Sequence, residues 1–297
     1  MIRRGGRWLG AGVVTATCLW VAQASSAPMR PIKRPAGVSA NAAQCQAVAL
    51  PQRQDKLPFG PGEALSYVAV VNGVQAGKAN LKMEERTNKD GRVVYPAVVV
   101  AESNPVVKLW AQMSAELITV LDPDRTVPLS MRSITKSDKH VYEEDIHFDL
   151  SSRKVNARTT LNGKSMDQQL QADVDALDAL SLLYYARSRA VDVGQAFCLD
   201  LYQSRLLWRI QGVVERKEIL ETDAGPFETI KATGTAVAQL GALRAQPAIL
   251  KEPRPFTVWM TADEDRIPVL LKAPTPLGEV TVKLVRFEQG RRLVRAR

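Results

Sequence analysis

The chain has 297 residues, 45% of them hydrophobic and 24% charged, with a formal net charge of +9. That hydrophobic share supports a proper buried core and argues against a disordered chain. The basic residues are scattered along the sequence rather than gathered with aromatics, so no nucleic-acid groove is indicated, and two histidines and three cysteines without a Cys-x-x-Cys spacing leave no metal or redox motif.

Residues 1–24 read as a secretory signal. A basic start, MIRRGGR, precedes an apolar run from Trp8 to Val21, and Ala22-Gln23-Ala24 fits a small-x-small cleavage site. The apolar run is shorter than the about 20 residues of a comfortable membrane span and is interrupted by glycine. Export places the mature chain in an oxidising compartment, periplasmic or envelope-associated, soluble or peripheral to the membrane. Cys18 leaves with the signal, so a disulfide between Cys45 and Cys198 is expected; the alternative leaves both as thiols.

Residues 25–57 hold Pro28, Pro31, Pro35 and Pro51 among many Ala and Gln, and read as a flexible arm. A single β-rich domain is expected over 58–288, followed by a basic tail at 289–297. The domain opens with GEALSYVAVV and VQAGKANLKMEE around Asn72-Gly73, a two-residue hairpin signal because both positions tolerate positive φ. Turns follow at Asn88–Gly91, at Asp122-Pro123-Asp124-Arg125, near Asp138 and at Asn162-Gly163. Pro96 marks an edge or bulged strand. In VYEEDIHFDL, Tyr142, Ile146, Phe148 and Leu150 share one face and Glu143, Asp145, His147 and Asp149 the other.

The stretch Asp173–Gly194 is the one clear helical pattern, with the helix expected over about 174–189. Val174, Leu177, Leu180 and Leu183/Tyr184 make its apolar stripe, Asp173 or Asp175 caps the start, and Arg187 and Arg189 suit its negative end. Strands resume with AFCLDLYQS and RLLWRIQGVVERKEIL, the latter half-wet, with Leu206, Trp208 and Ile210 alternating with Arg205, Arg209 and Gln211. Ala224-Gly225-Pro226 turns the chain into FETIKATGTAV, residues 239–254 are irregular, and RPFTVWMTAD, RIPVLLKA and EVTVKLVRFE complete the set. A dozen or more antiparallel strands exceed a comfortable flat sheet, so the fold class is mainly β: a large curved antiparallel sheet, open or closed like a barrel, with one covering helix.

No nucleophile elbow, phosphate loop, dinucleotide fingerprint or zincin helix is present. His140 and His147 fall at or on one strand with no triad partner. Of the Asp-x-Asp pairs, Asp122/Asp124 and Asp263/Asp265 read as turns and Asp173/Asp175 as a helix start rather than cation ligands. No catalytic, cofactor-binding or metal residues are therefore assigned, and no cofactor is expected.

Several pieces nevertheless resemble, in order, a bacterial family known as domain of unknown function 3108. They are residues 59–81 with Gly62-Glu63 and Ala76-Gly77, the helix with Asp178, Ser181, Tyr184 and Arg187, the Gly225–Thr229 turn and strand, and Trp259…Asp263…Arg266-Ile267-Pro268. The resemblance implies an exported, β-rich envelope protein and transfers no catalytic residue. The glycines suit turns or close backbone approach, and Tyr184 and Trp259 suit core packing with a polar atom to satisfy. The leading functional expectation is a non-enzymatic module holding an apolar or lipid-like ligand in its curved sheet. A structural or partner-binding envelope module and an envelope-polymer hydrolase are the alternatives. A cavity, a filled core, or converging carboxylates would respectively distinguish them.

Overall fold

A computed structural model describes residues 56–104, 112–223, 225–239, 252–275 and 278–293. The expected secretory signal, Cys45 and nearly all of the expected arm lie outside the described residues. In chain order the elements are β1 Ala64–Val71, β2 Val74–Met83, β3 Thr87–Lys89, β4 Arg92–Ser103, β5 Met113–Asp122, β6 Val127–Ser137, β7 Val141–Asp149, β8 Lys154–Leu161, β9 Lys164–Gln171 and β10 Ala176–Leu177. Then come helix α1 Ala179–Arg187 and β11 Ala196–Gln203, β12 Leu206–Thr222, β13 Gly225–Gln239, β14 Arg254–Thr261, β15 Pro268–Thr275 and β16 Gly278–Glu288.

The strands form one 16-stranded sheet in the order β10-β11-β12-β13-β14-β15-β16-β1-β2-β4-β5-β6-β7-β8-β9, with β3 beside β4. Neighbours are antiparallel except β10, which runs parallel to β11 for two residues. Several of the turns that join them are those the sequence marks, while those at 150–153 and Ser204-Arg205 were not marked. Asn72 and Gly73 have φ of 49° and 82°, and Asn162 and Gly163 have 49° and 80°, the left-handed pairs that match a hairpin's twist. Pro96 sits where β4 changes partner, from β3 at residues 92–94 to β2 from Ala97 onward, so its missing N–H leaves no gap in that ladder.

The first and last strands, β1 and β16, pair in the middle of the sheet, while β9 and β10 are its ends. The sheet is therefore open, but it curls. Tyr202 on β11 donates from its hydroxyl to Glu144 on β7 at 3.0 Å, and its ring meets Phe148 edge-on at 6.4 Å, although the two strands stand far apart in the ladder. The main core fills this curl with Leu65, Leu81, Val99, Leu117, Ile146, Val155 and their neighbours, together with Leu180 and Tyr184 from the helix.

The body extends past both expected boundaries. Leu57 and Phe59 are buried, and the chain after β16 returns to them: Leu57 N–H donates to Leu293 carbonyl at 2.9 Å and Leu293 N–H to Phe59 carbonyl at 3.1 Å. Residues 289–293 thus pair with the entry to β1, and Arg292 bonds Asp265 at 2.7 Å, so this part of the basic tail belongs to the fold.

The helix is shorter than its apolar periodicity suggests. Asp173 and Asp175 are bonded by Arg209 and Arg125, and Ala176–Leu177 lie extended beside β11, which keeps the chain non-helical as far as Asp178. There the carboxylate accepts from Leu180 N–H and Ser181 N–H, each at 2.9 Å, and Ser181 hydroxyl accepts from Asp178 N–H at 2.8 Å. This reciprocal cap satisfies the helix's first donors and fixes its start.

Candidate functional site

Helix α1 lies between two regions of the curled sheet. Leu180 and Tyr184 are fully buried in the main core, where the Tyr184 ring meets Phe59 at 4.9 Å. Leu182 and Ala186 are only half-buried and face the other way. They look across an apolar cavity of about 190 Å³ at the inner faces of β11 to β15. Its far wall includes Phe197, Ile210, Phe256, Val258, Met260 and Leu271. Among the described residues that line it there is no Asp, Glu, His, Ser or Cys; its polar side chains are Arg189, Gln195 and the tip of Tyr185.

The cavity exists because of how four strands align. Phe197 of β11, Gly212 of β12, Gly234 of β13 and Phe256 of β14 stand side by side across the sheet. A Cβ on Gly212 would lie 2.5 Å from the Phe197 ring and 2.1 Å from the Thr233 carbonyl, and one on Gly234 2.6 Å from the Phe256 ring. The two glycines let the flanking rings lie down over the strands, 6.5 Å apart, rather than stand up into the space beneath the helix. β14 shows the consequence. Arg254 to Met260 are all half-buried, where β7 alternates between buried and less buried positions. Phe256 packs against the second buried cluster around Leu201, Trp208 and Ile210, and with Val258 and Met260 it borders the cavity.

Three buried polar clusters lie outside the cavity lining. Arg187, at 0% exposure, makes a fork-to-fork pair with Glu63, also at 0%, at 2.6 and 2.8 Å, and its Nε donates to the Asp265 carbonyl at 3.0 Å. Burial pushes the Glu63 carboxyl up and the guanidinium opposes this; desolvation opposes the charge on Arg187, but Glu63 holds its proton more tightly than usual. The pair ties the entry of β1, the end of α1 and the β14–β15 turn together. Arg187 and Asp178 are both buried, because each has polar partners that make burial tolerable.

Glu144 is the second. The alternation of β7 aims it inward beside Tyr142 and Ile146, and it accepts from Ser133, Tyr142 and Tyr202 hydroxyls at 3.0–3.1 Å. Burial raises its pKa, while those hydroxyls pull it down. The third is Asp200, at 0% exposure, which accepts from Arg209 Nε at 2.7 Å and from the backbone N–H groups of Asp173 and Val174. These contacts bury Arg209, and Gln211 is buried as well, so β12 is covered on both faces there rather than half-wet.

The other residues noted in the sequence find structural places. His147 is exposed, 3.7 Å from Asp145, and His140 bonds Asn162 at 3.0 Å. Asp122 and Asp263 each accept backbone N–H groups of their own turns. Trp259 donates to Glu218 at 2.6 Å but is half-buried rather than in the core, and the buried Tyr184 hydroxyl has no partner among the described residues. Cys198 is buried on β11. Glu63, Glu144 and the cavity were not singled out as a site. For Glu144 the strand alternation carries the signal, since it shares parity with Tyr142 and Ile146.

Fold and site together define an open, curled antiparallel sheet in which the one helix among the described residues bounds an apolar cavity. The chain belongs to the family described as Protein of unknown function (DUF3108), whose model matches residues 65–285. In three dimensions it is similar to a crystal structure of a β-barrel-like protein of domain of unknown function DUF1849 from Brucella abortus, at 12% identity and a TM-score of 0.50, over 79% of this chain and 100% of that one. A protein described as exported with a YmcC-like fold, from Bacteroides fragilis, matches at 9% identity and a TM-score of 0.30, over 79% and 99%. No curated protein matches the chain in sequence. Among the described residues no helix is long and apolar enough to cross a membrane.

Proposed function

We propose that this protein is a non-catalytic binding module of the cell envelope that holds an apolar chain in the cavity beneath α1. The observation that carries the reading is the cavity. Designed cavities of about 150 Å³ with comparable apolar walls stay dry and take up small apolar guests, so 190 Å³ is ample for one. That space suits a short acyl segment or the end of a longer one. Walls without an acid, histidine or nucleophile favour binding over hydrolysis.

The secretory signal over 1–24 supports an exported location. The Cys45–Cys198 pairing is part of the same proposal, and what supports it is that Cys198 is buried on β11. Peptide mapping without reductant is expected to recover the Cys45 and Cys198 peptides joined; two alkylated thiols would remove this part. Native mass spectrometry of protein purified from its own envelope tests the main reading. The expected spectrum contains a lipid or fatty acyl adduct that denaturation releases. Protein that stays bare, and that remains bare after incubation with 1-octanol, would contradict it.

A further inference from the structure

The cavity is apolar almost everywhere, and the exception is cationic. Arg189, just past the C-terminus of α1, lines it and stacks its guanidinium 4.3 Å above the Tyr185 ring. One Nη donates to the Arg125 carbonyl at 3.2 Å, while Nε is buried and has no hydrogen-bond partner among the described residues. No carboxylate forms a salt bridge with Arg189 among them either. Its near neighbours Asp175 and Arg125 pair with each other, and Arg266 bonds the Arg189 carbonyl. An arginine partly withdrawn from water beside an apolar cavity, held by one carbonyl and an aromatic face, retains donors and charge for an anion.

Resting on the binding role proposed above, we infer that the ligand is a single-chain anionic amphiphile, with its tail under α1 and its carboxylate or phosphate on Arg189. The space admits a tail of moderate length, and Gln195 offers a second polar contact at the same lining. A neutral chain would fill the cavity equally well but leave the guanidinium unanswered. The cation therefore selects the head and the cavity selects the tail.

The test compares octanoate, octyl phosphate and 1-octanol by calorimetry on the mature protein, on Arg189→Gln and on Arg189→Lys. The expected result is that at least one anionic compound binds the wild type about tenfold or more tighter than octanol, the scale of one charge-assisted hydrogen bond. In Arg189→Gln that preference should collapse, and Arg189→Lys should restore part of it. The tighter of the two anions identifies the head group. Equal binding of anions and octanol to the wild type, or a preference that survives in Arg189→Gln, would overturn the inference and leave the cavity as a binding site for neutral chains. No binding of any of the three would overturn both.

Discussion

On one side of α1, Leu180 and Tyr184 press into a core built mainly from β1, β2 and β4 to β8, whose inward positions are largely closed to water. On the other side, Leu182 and Ala186 face strands β11 to β15 across about 190 Å³ of apolar space. Both regions belong to the same sheet, are made of similar strands and share the same helix. What differs is which residues occupy the inner face. The first region fills itself with Leu, Ile, Val and Met from facing strands. In the second, Gly212 and Gly234 let Phe197 and Phe256 lie flat, and nothing projects far enough to close the gap. A sheet this wide can close its core fully in one half and leave a cavity beside a second, smaller cluster in the other, with a helix as the partition.

The partition is held by the Glu63–Arg187 pair, and breaking it should have the largest effect. Arg187→Ala strands a buried carboxylate and is expected to cost about 3–5 kcal/mol in chemical denaturation. The double change Glu63→Leu with Arg187→Leu should recover most of that loss, since it removes both charges at once. A single change that proves near-neutral would mean that the pair does not anchor the helix.

Truncations on the two sides of α1 should then separate. Leu180→Ala is expected to cost about 2–5 kcal/mol because it hollows a close-packed core. Met260→Ala removes a half-buried side chain that already borders empty space, and should cost only about 1 kcal/mol. Equal losses would contradict the contrast in packing.

The cap of α1 carries a pH signature. Burial raises the Asp178 carboxyl to about 6, against backbone hydrogen bonds that favour its charge. A carboxyl raised on folding is protonated more readily in the native state than in the unfolded one. Its contribution to stability is therefore complete below the ordinary value of 3.8 and is lost as pH rises to about 6. Two units correspond to about 3 kcal/mol. Asp178→Asn keeps a capping residue and should flatten the stability profile between these values by an amount of that order; parallel profiles for wild type and variant would contradict the assignment.

Enlarging a side chain probes the same difference with a smaller effect. Ala157→Leu in the filled core is expected to destabilise by about 1–3 kcal/mol. Ala186→Leu projects into the cavity and is expected to stabilise by about 0.5–2 kcal/mol.

Much of the filled region could be read from residues alone. The Asn-Gly hairpins, the alternation along β7 and the burial of Leu180 and Tyr184 all follow from local pattern, because turns and periodicity are encoded by neighbours in the chain. The polar interior was less legible. Arg187 looks like a helix-end arginine until Glu63, far away in sequence, is placed beside it, and Asp173 looks like a cap until Arg209 takes it. The cavity could not be read at all. Alternation tells which face of β14 points inward, but not whether the side chains across from it arrive close enough to touch.

The central claim is that the space under α1 is open to an apolar guest, and 1-octanol titrated into protein with labelled methyl groups tests it most directly. Shifts concentrated at Ala186, Ile210 and Met260 that saturate together, and that vanish in Ala186→Leu, are the predicted result. Shifts scattered over the surface, or the same saturation with the cavity plugged, would contradict it.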